Sequence, residues 1–448
     1  MGKSTSGDLK WWQLSLFGVG CTIGTGFFLG SSLAIKMAGP SILIGYFIAA
    51  IGTYFVFDAL SKMTAKEPLE GGFRSYAKKA YGKWAGFSSG WVYWCSEVLI
   101  MGSQMTALSI FSRFWFPKVP LWLFAAGYAI LGLVIILIGV GILNKLENIL
   151  AVLKVSAIFM FIIISLLAIF GVIDGDRPIQ YPDSKKDFMP GGVAGLWSAV
   201  IFAFYAFGGI EILGLMATKL KNPKDAPKAG RVMLFSLMFI YAVSIGLAVT
   251  MVPWNKFNAK ESPFVISLDA YNLSFVPHIF NGALIIAGFS TMVASLYGVT
   301  SVLVTLAKEG DAPESFGKKG KLKVPLMTLI LTMLGIAASV VAALVMPNRI
   351  YEYITTAAGL MLLYNWIFIL ASPRKVLEIR KRDSIKYYLG ILLILIAVSG
   401  TLFHDSSRPG FFISLAFLGI IGTITLIMNA KWKKKKHKKS VLKPWPTA

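Results

Sequence analysis

The chain has 448 residues, of which 56% are hydrophobic and only 15% are charged, whereas a typical soluble domain has about 25% charged residues. Apolar runs of roughly 18 residues or more recur from one end of the chain to the other, which excludes a soluble globular protein and indicates a polytopic membrane protein. The formal net charge of +23 is compatible with nucleic-acid binding in principle, but the placement of the basic residues favours a membrane orientation instead.

The hydropathy pattern predicts an all-α protein with twelve membrane-spanning helices, at 13–36, 40–61, 85–111, 121–143, 147–172, 192–218, 231–253, 278–307, 324–346, 350–371, 386–403 and 410–429. The linkers are short, so we expect one transmembrane domain over 1–429 and a basic tail over 430–448. The first span is too long, and too closely followed by a second one, for a cleaved signal peptide.

Lys and Arg residues lie mainly in the segments that fall on the same side of the membrane as the N-terminus. This asymmetry predicts that both termini lie in the cytoplasm. The tail adds seven lysines between Lys431 and Lys439. We expect it to contact anionic lipid headgroups of the bilayer rather than nucleic acid.

The first span contains the stretch GVGCTIGTGFFLG at 18–30, in which five of thirteen residues are glycine. Each glycine costs a helix roughly 1 kcal/mol relative to alanine, and a broken helix in hydrocarbon frees amides that find no water. Such a break is favoured where it lines a cavity, and its half-helix N-terminus presents N–H groups to an anionic ligand. The sequence leaves open the alternative that these glycines only permit close helix packing.

The sixth span contains a second candidate break, FYAFGGIE at 204–211, in which a glycine pair is followed by Glu211. Spans one and six are five apart. Because five is odd, repeating a five-span unit inverts its topology, so the two breaks would face each other near the bilayer midplane. Paired glycine-interrupted spans at corresponding positions are the best sequence indication of a transporter binding site.

Ionisable groups inside spans are functional candidates because they are costly to hold there. Lys154 either snorkels to the interface or is a buried ammonium that desolvation makes ready to lose a proton. Glu211 is either a titrating carboxylate or a structural acceptor for amides of the break. Glu97 and Gln104 share a helix face and either line a polar cavity or only join helices. A small polar stripe in span eight, explained by packing or by ion coordination, comprises Ser290, Thr291, Ala294 and Ser295.

The sequence indicates no metal site, cofactor or enzymatic centre. Cys21 and Cys95 both lie within spans, and the three histidines are scattered. We find no nucleophile–base pair. The chain is therefore expected not to be an enzyme.

The motifs of spans one to eight resemble those of the amino acid permeases of the amino acid–polyamine–organocation superfamily, and especially its amino acid transporter branch, which includes aromatic, proline and γ-aminobutyrate permeases. The matching motifs are TIGTGFFLGSSLAIKMAGPS (22–41), GGFRSYAKKAYGKWAGFSSGWVYW (71–94), FWFPKVPLW (114–122), LKV (153–155), FGGIE (207–211), NP (222–223), PKA (227–229) and LAKEGDAP (306–313). The last four spans match only in hydropathy.

The resemblance implies a five-plus-five inverted repeat, over about 13–172 and 192–371, with broken helices one and six and two additional C-terminal helices over about 386–429. It implies that the substrate carboxylate binds the amides of the first break, and that the α-amino group binds carbonyls of the second, with Tyr205 or Phe207 as an aromatic gate. The implied substrate-binding residues are Thr22, Ile23, Gly24, Thr25, Gly26, Gln104, Tyr205, Ala206, Phe207, Gly208 and Gly209.

For proton coupling and gating, the resemblance points to Lys154, Glu211 and Ser290. The carboxylate of Glu97 in span three is a further candidate, although it is not at the family's usual position. Lys154 matches the lysine that, in proton-coupled members, stands where sodium-coupled relatives bind an ion between spans one, five and eight. Ser290 would be its neighbour on span eight, and Glu211 matches the acid of span six.

The chain also departs from the branch. Gln104 stands where span three usually has a glutamate, and Glu97 appears one heptad earlier. In span eight, Val293 and Ser301 replace the usual Asn and Arg. These departures bear on the substrate and on proton handling.

We therefore expect an amino acid importer of the bacterial plasma membrane that is proton-coupled and works by alternating access. A neutral substrate is favoured by the aromatic residues near the breaks, which are Phe27, Phe28, Tyr205 and Phe207. The alternatives are an amino acid exchanger and a sodium-coupled carrier of amino acids or amines on the same fold. An ammonium at the ion site disfavours sodium.

Overall fold

A computed structural model describes residues 9–138, 140–173, 181–271, 273, 275–318, 325–345 and 350–441. The N-terminal half contains α1 (Trp11–Thr22), α2 (Thr25–Phe28), α3 (Gly30–Ala38), α4 (Ile42–Lys66), α5 (Phe73–Tyr81), α6 (Lys83–Ser112), α7 (Leu121–Ile138), α8 (Val140–Ile169) and α9 (Lys185–Phe188). The C-terminal half contains α10 (Gly192–Tyr205), α11 (Ile210–Met216), α12 (Ala226–Met251), α13 (Pro263–Leu268), α14 (Val276–Lys308), α15 (Leu326–Val345), α16 (Ile350–Ala371), α17 (Pro373–Val376), α18 (Lys381–Gly400) and α19 (Arg408–Val441). These helices confirm the predicted helical membrane class.

Nine helical segments of the described chain are long and apolar enough to cross a membrane. The predicted first span is not counted separately, because it is divided after Thr22 and its second part joins the next helix in a segment from Thr25 to Lys66. Helix α6 has sufficient length but carries Glu97, Gln104 and several serines, and Leu326–Val341 counts as a shorter apolar helix. The number twelve and the repeat arrangement therefore stay predictions.

The predicted sixth span lies at the centre of the protein. In its segment Lys185–Met216, 89% of the most apolar window is buried within the protein, against 17% for Leu121–Ile138 and for Arg408–Lys434. Helix α10 packs against α3, α4, α16 and α18, whereas α1 packs against α8, α12, α11 and α14. Each broken helix is thus enclosed by other helices of the protein, which supply the contacts that a break in hydrocarbon requires.

A buried ion-pair cluster lies at the end of the protein where α6 begins. We call this end of the protein the α5 face. Arg74 of α5 is fully buried, and its Nη2 donates to Asp311 Oδ2 at 2.7 Å and contacts Glu309 Oε2 at 2.8 Å. Lys78 also donates to Glu309. Burial opposes ionisation of Glu309, but the bond from Lys78 and the charge of Arg74 outweigh it and hold the pKa of Glu309 below its ordinary value. The cluster ties α5 to the segment after α14.

Arg74→Met is expected to lower the free energy of unfolding by about 3–5 kcal/mol, because it removes the closest cationic partner of the buried Asp311 carboxylate and leaves only Lys78, 3.8 Å away. The measurement is denaturant or thermal unfolding of the purified protein in detergent. Lys308→Met is the matched control, since Lys308 pairs with Glu70 through side chains that are 60% and 84% exposed. Its effect should stay within about 1 kcal/mol. Equal losses of unfolding free energy in the two variants would show that the buried cluster stabilises the protein no more than the exposed pair does.

Candidate substrate site

The first break lies between α1 and α2. Helix α1 ends at Thr22, Ile23 and Gly24 are extended, and the chain becomes helical again at Thr25. The N–H groups of Phe27 and Phe28 donate to the carbonyl of Gly24. Because the first amides of a helix have no partner within it, the break presents the N–H groups at the start of α2 to its surroundings.

The second break lies between α10 and α11. After Tyr205 the chain continues in tight turns, in which the N–H groups of Phe207 and Gly208 donate to carbonyls three residues earlier, at 3.0 Å each. Gly209 then adopts a φ of +108°, which glycine reaches without the steric cost that a Cβ brings, and α11 starts at Ile210. The interruption is therefore sharp and centred on Gly209.

The two breaks touch each other. A Cβ on Gly209 would lie 2.9 Å from the carbonyl oxygen of Cys21 at the end of α1. A Cβ on Gly24 would lie 2.6 Å from Thr291 Oγ1, and one on Gly26 would lie 2.9 Å from two ring carbons of Tyr205. These glycines do permit close packing, as the alternative interpretation held, but the packing occurs at the breaks themselves.

A small cavity of about 30 Å³ lies where the breaks meet. Its lining residues are Cys21, Thr22, Gly24, Thr25, Gly26, Glu97, Ile100, Gln104, Tyr205, Gly208, Gly209, Thr291 and Ser295. A cavity of this size holds an ordered water molecule but not an amino acid. A substrate would therefore bind here only with movement of the surrounding helices.

Several polar atoms at this cavity are buried and find no hydrogen-bond partner in the part of the chain that the structure describes. They are Thr22 Oγ1, Thr25 Oγ1, Glu97 Oε2 and Gln104 Oε1. The other end of the Gln104 amide donates to Thr291 Oγ1 at 3.1 Å. Buried polar groups are paired in the great majority of cases, so four unpaired atoms around one cavity indicate a ligand site.

Of the four aromatic side chains expected at the pocket, Tyr205 alone lines it. Its ring lies against Gly26, and its hydroxyl bonds to Ser103 Oγ at 2.8 Å. Phe207 and Phe27 instead pack on Tyr241, with ring centroids 5.1 Å and 4.0 Å away. In this structure Phe27 and Phe207 thus belong to the hydrophobic core, and their predicted place at the substrate stays a prediction.

Two further predicted binding residues also lie in the core. Ile23 is fully buried in the main hydrophobic cluster, and the carbonyl of Ala206 accepts a hydrogen bond from Tyr241 Oη at 2.9 Å. Phe28 packs edge-on against Phe264. Neither Ile23 nor Ala206 is part of the cavity wall.

Lys154 is fully buried, and its Nζ donates to the carbonyl of Gly20 at 2.5 Å. This contact excludes the snorkelling interpretation, because the ammonium is turned towards the end of α1 and away from the interface. Helix α8, which carries Lys154, packs against both α1 and α14. Ser290 is buried on α14 but does not line the cavity, whereas Thr291 and Ser295 of the same polar stripe do.

Glu211 is fully buried and bonded through both carboxylate oxygens. Oε2 accepts the N–H of Gly209 at 3.0 Å, and Oε1 accepts the indole N–H of Trp366. This is the geometry of the structural acceptor that the sequence left as one of two alternatives. Trp366 lies 155 residues further along the chain, and no sequence signal linked it to the break.

A larger cavity of about 610 Å³ opens at the face opposite the α5 face. Its lining includes Lys36, Arg113, Glu261, Glu352 and Tyr351. The hydroxyl of Tyr351 donates to the carbonyl of Thr25 at 3.4 Å, so this side chain separates the larger cavity from the small one. We call the larger cavity the vestibule.

Among the described residues, no group of three or more His, Cys, Asp and Glu side chains is placed to hold a metal ion. The fold and site are those of a membrane protein that moves a solute. A polar cavity lies between two interrupted helices, and the vestibule lies next to it. A family model described as "Amino acid permease" matches residues 13–442. The chain belongs to the amino acid permease family. Members of this family are transporters, so the protein is not an enzyme.

Relatives cover the chain almost completely. The protein is 55% identical over 433 residues to the uncharacterized transporter YcgH of Bacillus subtilis (strain 168), with 96% of each chain covered. It is 31% identical over 362 residues to the uncharacterized amino acid permease YvbW of the same strain, with 80% of this chain and 81% of the relative covered. It is 28% identical over 446 residues to the aromatic amino acid transport protein AroP of Escherichia coli O6:H1, with 98% of each chain covered.

Proposed function

We propose that the protein imports neutral L-amino acids across the bacterial plasma membrane, coupled to protons and working by alternating access. One observation carries the proposal: the two helix breaks meet at a cavity lined by four polar atoms, of Thr22, Thr25, Glu97 and Gln104, that have no hydrogen-bond partner within the described part of the chain. A zwitterionic amino acid brings both donors and acceptors to such a site. The small volume of the cavity fits an occluded conformation, and the vestibule fits an access route from the side opposite the α5 face.

Each end of the zwitterion is assigned to one break. The carboxylate is assigned to the amides of Gly24, Thr25 and Gly26, where the start of α2 favours negative charge. The α-amino group is assigned to the second break, at the carbonyls of Phe207 and Gly208. The carbonyls on either side already accept hydrogen bonds: that of Ala206 accepts from Tyr241 Oη, and that of Gly209 accepts from the N–H of Ile212.

The proposal of a neutral substrate rests on the relatives, because Tyr205 is the only one of the four expected aromatic residues that lines the cavity. Several of them are named aromatic amino acid transport proteins, and aromatic amino acids are neutral. Glu97 supplies the one carboxylate of the lining. A basic amino acid is therefore the most informative competitor to test.

Proton coupling is assigned to Lys154. Its ammonium bonds the end of α1, next to the first break. Loss of a proton would weaken that bond and release α1, which links protonation to the shape of the site. Glu97, Glu211 and Ser290 are assigned supporting roles in proton handling and gating. A positive side chain at this place disfavours sodium coupling, whereas an exchanger would need no proton at all.

The proposal includes the arrangement of the chain in the membrane. Twelve spans form a five-plus-five inverted repeat with two additional helices, and both termini lie in the cytoplasm. The equivalent interruptions of the first and sixth predicted spans support the repeat. The Lys-rich tail would lie on anionic headgroups, following a helix α19 that extends from Arg408 to Val441.

The test is thermal stabilisation of the purified protein against each of the twenty amino acids, with and without sodium. A ligand at about 100 times its Kd stabilises by roughly 2.7 kcal/mol. We expect a melting shift with a few neutral L-amino acids, unchanged by sodium and absent with their D-enantiomers. A shift that requires sodium would overturn proton coupling, and a shift confined to lysine and arginine would overturn the neutral substrate. No shift with any amino acid would contradict amino acid binding itself.

A further inference from the structure

Helix α16 supports the second break along one face. Three residues on one side of this helix contact the interrupted span: Gly359, Leu362 and Trp366. A Cβ on Gly359 would lie 3.3 Å from Ile201 and 3.6 Å from Tyr205, and a Cβ on Gly208 would lie 3.0 Å from Leu362. Helix α16 therefore follows the interrupted span across its turn.

Trp366 is the residue of this face that makes a hydrogen bond to the interrupted span. Among the described residues it is the largest fully buried side chain, and its ring packs edge-on against Phe204 before the break. Its indole N–H donates to Glu211 after the break. One side chain thus holds both halves of the interrupted helix.

Two consecutive hydrogen bonds connect Trp366 to the wall of the cavity. Glu211 receives the indole N–H on one oxygen and the amide of Gly209 on the other, at 3.0 Å. Gly209 is the residue with positive φ, and it lies against the carbonyl of Cys21 in the cavity wall. A carboxylate held at one oxygen only is free to rotate about its side chain and to leave the Gly209 amide unpaired.

We propose that Trp366 is a positioning residue for substrate binding: its indole N–H fixes the Glu211 carboxylate on the Gly209 amide and so holds the second break in its binding geometry. The inference rests on the proposed function only in taking the cavity between the breaks as the substrate site. The positioning itself is independent of the identity of the substrate. It assigns Glu211 a role in holding the backbone in place.

The experiment uses Trp366→Phe, which keeps an aromatic ring and removes the N–H. The matched control is Trp94→Phe, because Trp94 Nε1 is buried and has no hydrogen-bond partner among the described residues. Hydrogen–deuterium exchange is measured without substrate, in nanodiscs, on a peptide that spans residues 204–212. A lost hydrogen bond that leaves a buried polar group unpaired changes an equilibrium constant by roughly 10-fold. We expect exchange at the break to accelerate by about 10-fold in Trp366→Phe, and to stay unchanged in Trp94→Phe.

A double-mutant cycle separates positioning from simple packing. Glu211→Gln should accelerate exchange at Gly209 to a similar degree, and adding Trp366→Phe to it should change little, because the N–H acts through Glu211. This variant also carries the test if Trp366→Phe does not fold. Additive effects, or equal exchange in Trp366→Phe and Trp94→Phe, would overturn the proposal.

Binding of an amino acid is the second readout. The Kd of whichever amino acid stabilises the wild type should rise by about 10-fold in Trp366→Phe. An unchanged Kd together with faster exchange would overturn the link to substrate binding. If the wild type binds no amino acid, the proposed function fails, while the exchange experiment still decides the positioning role of Trp366.

Discussion

Gly26→Val abolishes amino acid binding and uptake while leaving membrane insertion intact: this is the largest loss that we expect from a single substitution. Even the Cβ of the new side chain would lie 2.9 Å from the Tyr205 ring and 3.3 Å from the Tyr205 carbonyl. Contacts below 3.0 Å force something to move, and here the neighbouring atoms belong to Tyr205 at the second break. Valine would also occupy the position at which the proposed carboxylate meets the start of α2.

The control lies in the same stretch of glycines. A Cβ on Gly30 meets nothing within 4 Å, so Gly30→Ala should leave uptake unchanged, whereas Gly26→Ala should already weaken it. Uptake of a labelled amino acid into proteoliposomes measures both variants, and detergent solubility with a wild-type melting curve confirms folding. Normal uptake by Gly26→Val would return this glycine to a packing role and remove the carboxylate assignment.

Lys154→Met is expected to eliminate proton-driven accumulation, by more than about 10-fold, because the variant has no group to carry the proton next to α1. The neutral methionine side chain also lacks the donor for the Gly20 carbonyl, which Lys154 approaches to 2.5 Å. The measurement is uptake into proteoliposomes with an imposed pH gradient, compared with exchange between equal concentrations on the two sides. Exchange requires binding and movement but no coupling.

Lys154→Arg separates the charge from the proton. Arginine stays protonated in proteins and keeps the positive charge, so it cannot take part in a protonation cycle. We expect this variant also to lose accumulation driven by the pH gradient. Accumulation that persists in Lys154→Met would contradict the proton role and favour the exchanger. Accumulation that becomes dependent on sodium would show that the ammonium had occupied an ion site.

The sequence by itself determined the class of the protein and the places where its helices break. Hydrophobic runs that recur through the chain require a bilayer, and the glycines of the stretch 18–30 and at Gly208 and Gly209 are costly in any helix. Both breaks occur in the structure where the glycines predicted them, at Ile23–Gly24 and at Gly209. The face shared by Glu97 and Gln104 follows from helical periodicity alone, and both residues line the cavity.

Only the tertiary structure decided which side chains face the cavity. The direction of a side chain near a break depends on the neighbouring helices. Tyr241 packs against Phe27 and Phe207 in the core and donates a hydrogen bond to the Ala206 carbonyl. The choice between the two interpretations of Lys154 likewise required the position of α1 relative to α8. Trp366 was unpredictable because it meets Glu211 across 155 residues of chain. Periodicity describes one helix at a time, whereas a binding site is made by the packing of several.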